Sequence, residues 1–130
     1  MWSIACIFGE VLKRKPMFPG RDYMHQLQLI VDVLGTPTDR EMDFITNPAA
    51  KTAIKTRLHA SKGVVLKDML PGADPLAIDL LEQMLLFNPE DRCTVEEALG
   101  HPYFKELHEE NEEPICDAPF ELEAERRYAF

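Results

Sequence analysis

The chain has 130 residues, 45% of them hydrophobic, enough for one soluble domain with a core of its own. Its net charge of -9 is concentrated: Glu106, Glu109, Glu110, Glu112, Glu113, Asp117, Glu121, Glu123 and Glu125 lie in a stretch free of Lys and Arg, while the other 14 acids balance the 14 bases. Such a tail repels nucleic acid and attracts basic partners, unless it is only a solvated charge run.

Several further classes are disfavoured. No apolar run reaches the roughly 18 to 20 residues of a membrane span, and no basic region leads into a signal-peptide core, so an intracellular protein without membrane partners is expected. Cys6, Cys93 and Cys116 are odd in number and lack metal-ligand spacing, which argues against a disulfide framework or a zinc site.

In chain order, residues 2–12 carry apolar side chains on every face of a helix, the mark of a segment surrounded by protein. No capping residue precedes Trp2, so this helix reads as entered partway along. Residues 13–20 form a basic, proline-broken loop. Asp22 caps a helix from Tyr23 to Leu34 that Gly35 ends, with Tyr23, Leu27, Ile30, Val31 and Leu34 in one stripe. Thr38-Asp39-Arg40-Glu41 is a capping box, and Asn47-Pro48 opens a short helix to about Leu58. Turns at Ser61-Lys62-Gly63 and Pro71-Gly72 flank an apolar piece over residues 64–70.

Asp74 caps a helix beginning at Pro75, and apolar residues over 76–87 occupy most of its circumference, which predicts burial; Asn88-Pro89 stops it. The box Thr94-Val95-Glu96-Glu97 opens a last helix, ended by Gly100, His101 and Pro102. His101 reads as a helix-terminal structural residue rather than a base. Arg92 sits in the turn between two apolar helices, where a guanidinium is expensive to enclose without a facing carboxylate, so a partner is expected.

The pattern Leu85-x-Phe87-Asn88-Pro89-x-x-Arg92 resembles the closing block of the eukaryotic protein kinase domain, and Trp2-Ser3-x-x-Cys6 the hydrophobic helix at the centre of its C-terminal lobe. Arg14-Lys15-Pro16-Met17-Phe18-Pro19-Gly20-x-Asp22-Tyr23-x-His25-Gln26-Leu27 and Leu34-Gly35-Thr36-Pro37 narrow the resemblance to mitogen-activated protein kinases. The resemblance implies a mainly α fold: the helical C-terminal lobe over residues 1–105, with the family's insert at about 38–70, then an acidic C-terminal extension over 106–130 with a docking segment. The N-terminal lobe and catalytic segments are absent from these residues.

The activity implied for a full-length relative is transfer of phosphate from ATP, with magnesium, to Ser/Thr in cytoplasmic and nuclear signalling. That chemistry needs a glycine-rich loop, a phosphate-binding lysine, a catalytic-loop aspartate and an Asp-Phe-Gly aspartate. No Gly-x-Gly, His-Arg-Asp or Asp-Phe-Gly occurs, so no catalytic residue, metal site or cofactor is assigned to this chain. The Ala-Pro-Glu triplet whose glutamate pairs with the arginine of the closing block is missing as well. Arg92 therefore marks a structural ion pair with a missing segment, and both ends read as cut.

Recognition remains. The family's acidic docking site corresponds to Glu109, Glu112 and Glu113, which implies partners carrying basic docking motifs: activating kinases, phosphatases and substrates. The family usually has aspartate at the first two of these positions. Exposed pairs of this kind contribute about 0.2 to 1 kcal/mol each and weaken with salt. Tyr23, Met24 and Leu27 match the family's pocket for phenylalanine-containing motifs, against the plainer reading that they pack the lobe, and Ala53 stands where a tyrosine is frequent. Two readings stay open: a portion of a working kinase that supplies docking and substrate recognition, or a non-catalytic decoy that binds basic linear motifs.

Overall fold

The structure, a computed structural model, describes residues 1–109 and 117–118, which hold helices and turns and no β-strand. Helix α1 (Trp2–Lys13) closes at Arg14, which takes the left-handed conformation at φ 60. Side-chain caps then decide where most of the other helices begin. Asp22 accepts the His25 amide at 2.9 Å and opens α2 (Tyr23–Leu34). Asn47 accepts the Ala49 amide at 2.9 Å, and Pro48 is the first residue of α3 (Pro48–Arg57), where its missing N–H costs nothing. A single turn, α4 (Leu66–Met69), leads to α5 (Pro75–Met84), whose first amide, that of Leu76, is taken by Asp74 at 2.7 Å. In α6 (Val95–Leu99) the expected box closes reciprocally, Thr94 N–H to Glu97 at 2.8 Å and Glu97 N–H to the Thr94 hydroxyl at 3.1 Å.

The core gathers on α5. Ile78, Leu80, Leu81, Met84 and the C-cap Leu85 are buried together with Ala5 of α1, Met17, Leu66, Leu70 and Ala98 of α6. Each fully enclosed aliphatic side chain contributes about 1.5 to 3 kcal/mol of transfer free energy. Gly9 permits the close approach of α1: a Cβ there would meet the Met17 sulfur at 3.1 Å and Leu81 Cδ2 at 3.5 Å.

Three expectations are corrected. Helix α1 is not enclosed on all sides: Ala5 and Gly9 are buried, but Ile4, Ile7 and Val11 are 57%, 62% and 61% exposed, because the described helices cover one face only. Helix α5 ends at Met84 rather than at residue 87, because Arg92 takes the carbonyls of Leu86 and Phe87 and the Cys93 amide takes that of Gln83. At Thr38 the box bonds form, Glu41 N–H to Thr38 and Thr38 N–H to Glu41, yet they open only the 3-10 turn Arg40–Met42.

Residues 36–61 leave the helical body and return to the same place. Thr36 N–H donates to the Ser61 carbonyl and Val64 N–H to the Val33 carbonyl, both at 2.9 Å. The Gln28 amide closes a two-bond ring with the His59 backbone, donating at 3.0 Å and accepting at 2.7 Å. At this neck Gly63 has φ 76, and a Cβ on it would lie 2.9 Å from the Gly35 nitrogen, so only glycine lets the two backbones touch. Beyond the neck the excursion buries Met42 and carries the ion pairs Lys51–Asp43 at 3.8 Å and Lys55–Asp39.

Candidate docking surface

Glu109 is exposed at the end of the continuous described chain, and its position is prepared by His101. His101 is buried; its Nδ1 accepts the Tyr103 amide at 3.2 Å, capping the 3-10 turn Pro102–Phe104. With Nδ1 accepting, the ring proton sits on Nε2, which lies 2.8 Å from the Asp79 carboxylate on α5. Tyr103 packs on Phe8 of α1 and edge-on to Phe104, with ring centroids 5.5 and 5.0 Å apart. The Phe104 carbonyl then accepts the amides of Leu107 and His108 at 2.7 and 2.8 Å. The chain therefore enters the acidic stretch from an anchored turn. Glu112 and Glu113 lie outside the described residues.

Tyr23, Met24 and Leu27 all stand on the first half of α2. Tyr23 is 91% exposed, while Met24 and Leu27 are half-buried. Tyr23 and Leu27, four residues apart, share one face of the helix, and that face sinks toward buried Val31 at its far end. The stripe is thus core at one end and open at the other.

Arg92 does find partners, though not a carboxylate. Its Nε donates to the Leu86 carbonyl at 2.7 Å, its Nη2 to the Phe87 carbonyl at 3.0 Å, and its guanidinium carbon sits 4.7 Å from the centroid of the Trp2 ring. Trp2 stacks in turn on Phe18, 5.8 Å between centroids at 14°. Among the described residues no acid lies within ion-pair distance of Arg92. Burial pulls the guanidinium below its ordinary value. Cys6, close by, is pushed up by burial and by the Glu10 carboxylate, against the opposing pull of Arg92. Cys6 and Cys93 are free thiols.

Sequence reasoning missed the Trp2 ring as the seat of Arg92 and the exposed leucines Leu76 and Leu107 beside the acidic stretch. Ninety residues separate the first pair, and no local signal joins them. The second pair did carry a signal: Leu107 is an isolated apolar residue among Lys105, Glu106 and Glu109. Among the described residues no group of three or more His, Cys, Asp or Glu side chains converges to hold a metal ion, and no helix is long and apolar enough to cross a membrane. The described residues thus supply no cluster to hold the magnesium that protein kinases generally use with ATP.

Comparison with known proteins places these features. The protein kinase domain family matches residues 1–104. Mitogen-activated protein kinase 5 of Oryza sativa subsp. indica is 48% identical over 127 residues, 98% of this chain and 34% of the relative. Mitogen-activated protein kinase 13 of Arabidopsis thaliana is 45% identical over 125 residues, covering 96% and 34%. Extracellular signal-regulated kinase 1 of Dictyostelium discoideum is 48% identical over 125 residues, covering 96% and 23%. The chain spans about a third of the length of the first two of these relatives and less of the third.

Proposed function

This chain belongs to the protein kinase family, as part of a mitogen-activated-type kinase domain, and from that premise we propose that it supplies docking and substrate recognition rather than phosphoryl transfer. The observation that carries the reading is the anchored entry to the acidic stretch: a turn capped by buried His101 leaves Glu109 exposed near the start of a segment, residues 106–125, with nine acids and no Lys or Arg. Carboxylates grouped in this way raise the local concentration of Lys/Arg-rich linear motifs, such as those of activating kinases, phosphatases and substrates. Glu109, Glu112 and Glu113 are the acids assigned to this contact. Tyr23, Met24 and Leu27 would receive a second, aromatic class of motif, a role supported by the exposure of Tyr23. In the whole protein these surfaces would serve ATP- and magnesium-dependent phosphorylation of Ser/Thr in the cytoplasm and nucleus, with Arg92 paired to an acid outside this chain.

Fluorescence anisotropy with a labelled lysine- and arginine-rich peptide tests the acidic site. Binding should weaken several-fold on Glu109→Lys plus Glu112→Lys and fall steeply between low and physiological salt, since exposed pairs are screened within about 10 Å at 0.1 M. Affinity unchanged by either perturbation overturns the reading.

A further inference from the structure

Residues 86–88 follow the end of α5 and belong to no helix. They are held from two sides. On one, Arg92 takes the Leu86 and Phe87 carbonyls at 2.7 and 3.0 Å and lays its guanidinium on Trp2, 4.7 Å from the ring centroid. On the other, the Phe87 ring meets the Phe44 ring of the 36–61 excursion at 6.2 Å and 56°, a tilted contact of the kind aromatic pairs prefer. Among the described residues no other ring pair joins the excursion to the helical body. Phe44 stands two residues beyond buried Met42 and is itself 38% exposed, so a partner can reach it. Room for movement is present as well. Leu86 and Phe87 border a cavity of about 210 Å³ shared with Val33, Leu34 and Val64 at the neck, and another of about 480 Å³ shared with Thr38, Arg40 and Asp91.

We propose that residues 86–88 form a two-position strap that couples the seating of the excursion to the grip of Arg92 on Trp2. With Phe44 seated, the Phe87 ring is stopped and its carbonyl faces the guanidinium. When a partner draws the excursion off the helical body, the ring turns into a bordering cavity and carries its carbonyl away, because ring and carbonyl belong to one residue that no helical bond restrains. Arg92 has five N–H groups, and the bonds it gives up return donors for a carboxylate brought from elsewhere. Packed interiors switch between discrete arrangements rather than deforming continuously, and the two cavities make a second arrangement available. The coupling needs only the ring pair, the two carbonyl bonds and the stack on Trp2, and is independent of docking at the acidic stretch.

Trp2, the sole tryptophan, reports the far end of the strap. In the full chain Phe44→Ala should shift Trp2 emission to longer wavelength and increase its quenching by acrylamide. Phe44→Leu keeps apolar bulk without the ring and should give a smaller shift in the same direction; it decides the question should Phe44→Ala fail to melt cooperatively. Arg92→Met cuts the link, so in that background Phe44→Ala should add no further shift. Lys55→Ala breaks the excursion's ion pair with Asp39 but spares Phe44, and should leave Trp2 unmoved. An unshifted Trp2 in the folded Phe44 variants overturns the coupling. So does a shift of equal size in Lys55→Ala, or one that persists beside Arg92→Met.

Discussion

The neck at Gly63 permits a quantitative forecast for Gly63→Ala. The residue has φ 76, where an L-side chain costs about 1 to 2 kcal/mol. Its Cβ would also lie 2.9 Å from the Gly35 nitrogen, 3.0 Å from the Leu34 carbonyl carbon and 3.0 Å from the Val33 oxygen. All three are backbone atoms and cannot swing away as a side chain would. The Val33 oxygen accepts the Val64 amide at 2.9 Å, so relieving the clash stretches that bond and the neighbouring one from Thr36 to Ser61, each contributing about 1 kcal/mol. The sum is about 3 to 4 kcal/mol, or about 11 to 15 °C in Tm for a chain of 130 residues at the usual unfolding entropy per residue. Gly72→Ala is the control. Its φ is 84 but nothing lies within 4 Å of the new Cβ, so only the conformational cost remains, about 4 to 7 °C. Paired melts by circular dichroism, with amide exchange at Thr36 and Val64, separate the two. Equal losses in both variants would refute the steric argument.

Arg92→Met removes the donor from the Leu86 and Phe87 carbonyls and the cation from the Trp2 ring, and should cost about 1 to 2 kcal/mol in urea unfolding. Because Trp2 is the sole tryptophan, its emission should shift as well, and Arg92→Lys should keep only part of both effects. Glu41 carries a pH signature. The Thr38 hydroxyl and amide hold its carboxyl below the ordinary range, so its folded value lies under the unfolded one; the stabilisation is present above about pH 4.3 and is lost as pH falls through the folded value. The stability gap between the parent chain and Glu41→Gln, measured in urea from pH 6 down to about pH 3, should therefore narrow on acidification. A gap that widens contradicts the assigned bonds.

Chain punctuation was legible in the sequence because it is local. Asp22, Asn47, Asp74 and Thr94 each cap the helix they were read to open, since a short polar side chain needs only the next two or three amides. What failed was whatever depends on distant chain. The apolar faces of α1 are visible in its composition, yet how many faces are covered depends on neighbours, and Ile4, Ile7 and Val11 stand open. The apolar residues beyond Met84 looked helical, and only the return of Arg92 to their carbonyls shows why the helix stops. Kinase membership was legible from motif spacing. The geometry around Glu109 was not, because the anchor joining His101 to Asp79 spans 22 positions and combines the cap of a 3-10 turn with a residue in the middle of α5.

The pinched base of residues 36–61 makes that excursion an interchangeable cassette. Its two ends already meet through mutual hydrogen bonds and the Gly35–Gly63 crossing, so apart from the packing of Phe44 on Phe87, 6.2 Å between ring centroids, the body of the lobe asks little of what hangs between them. Doubling the length of a flexible loop adds only about 0.6 kcal/mol of closure entropy. Appendages of very different size and surface chemistry can thus be exchanged at this one joint without redesigning the helices that hold it.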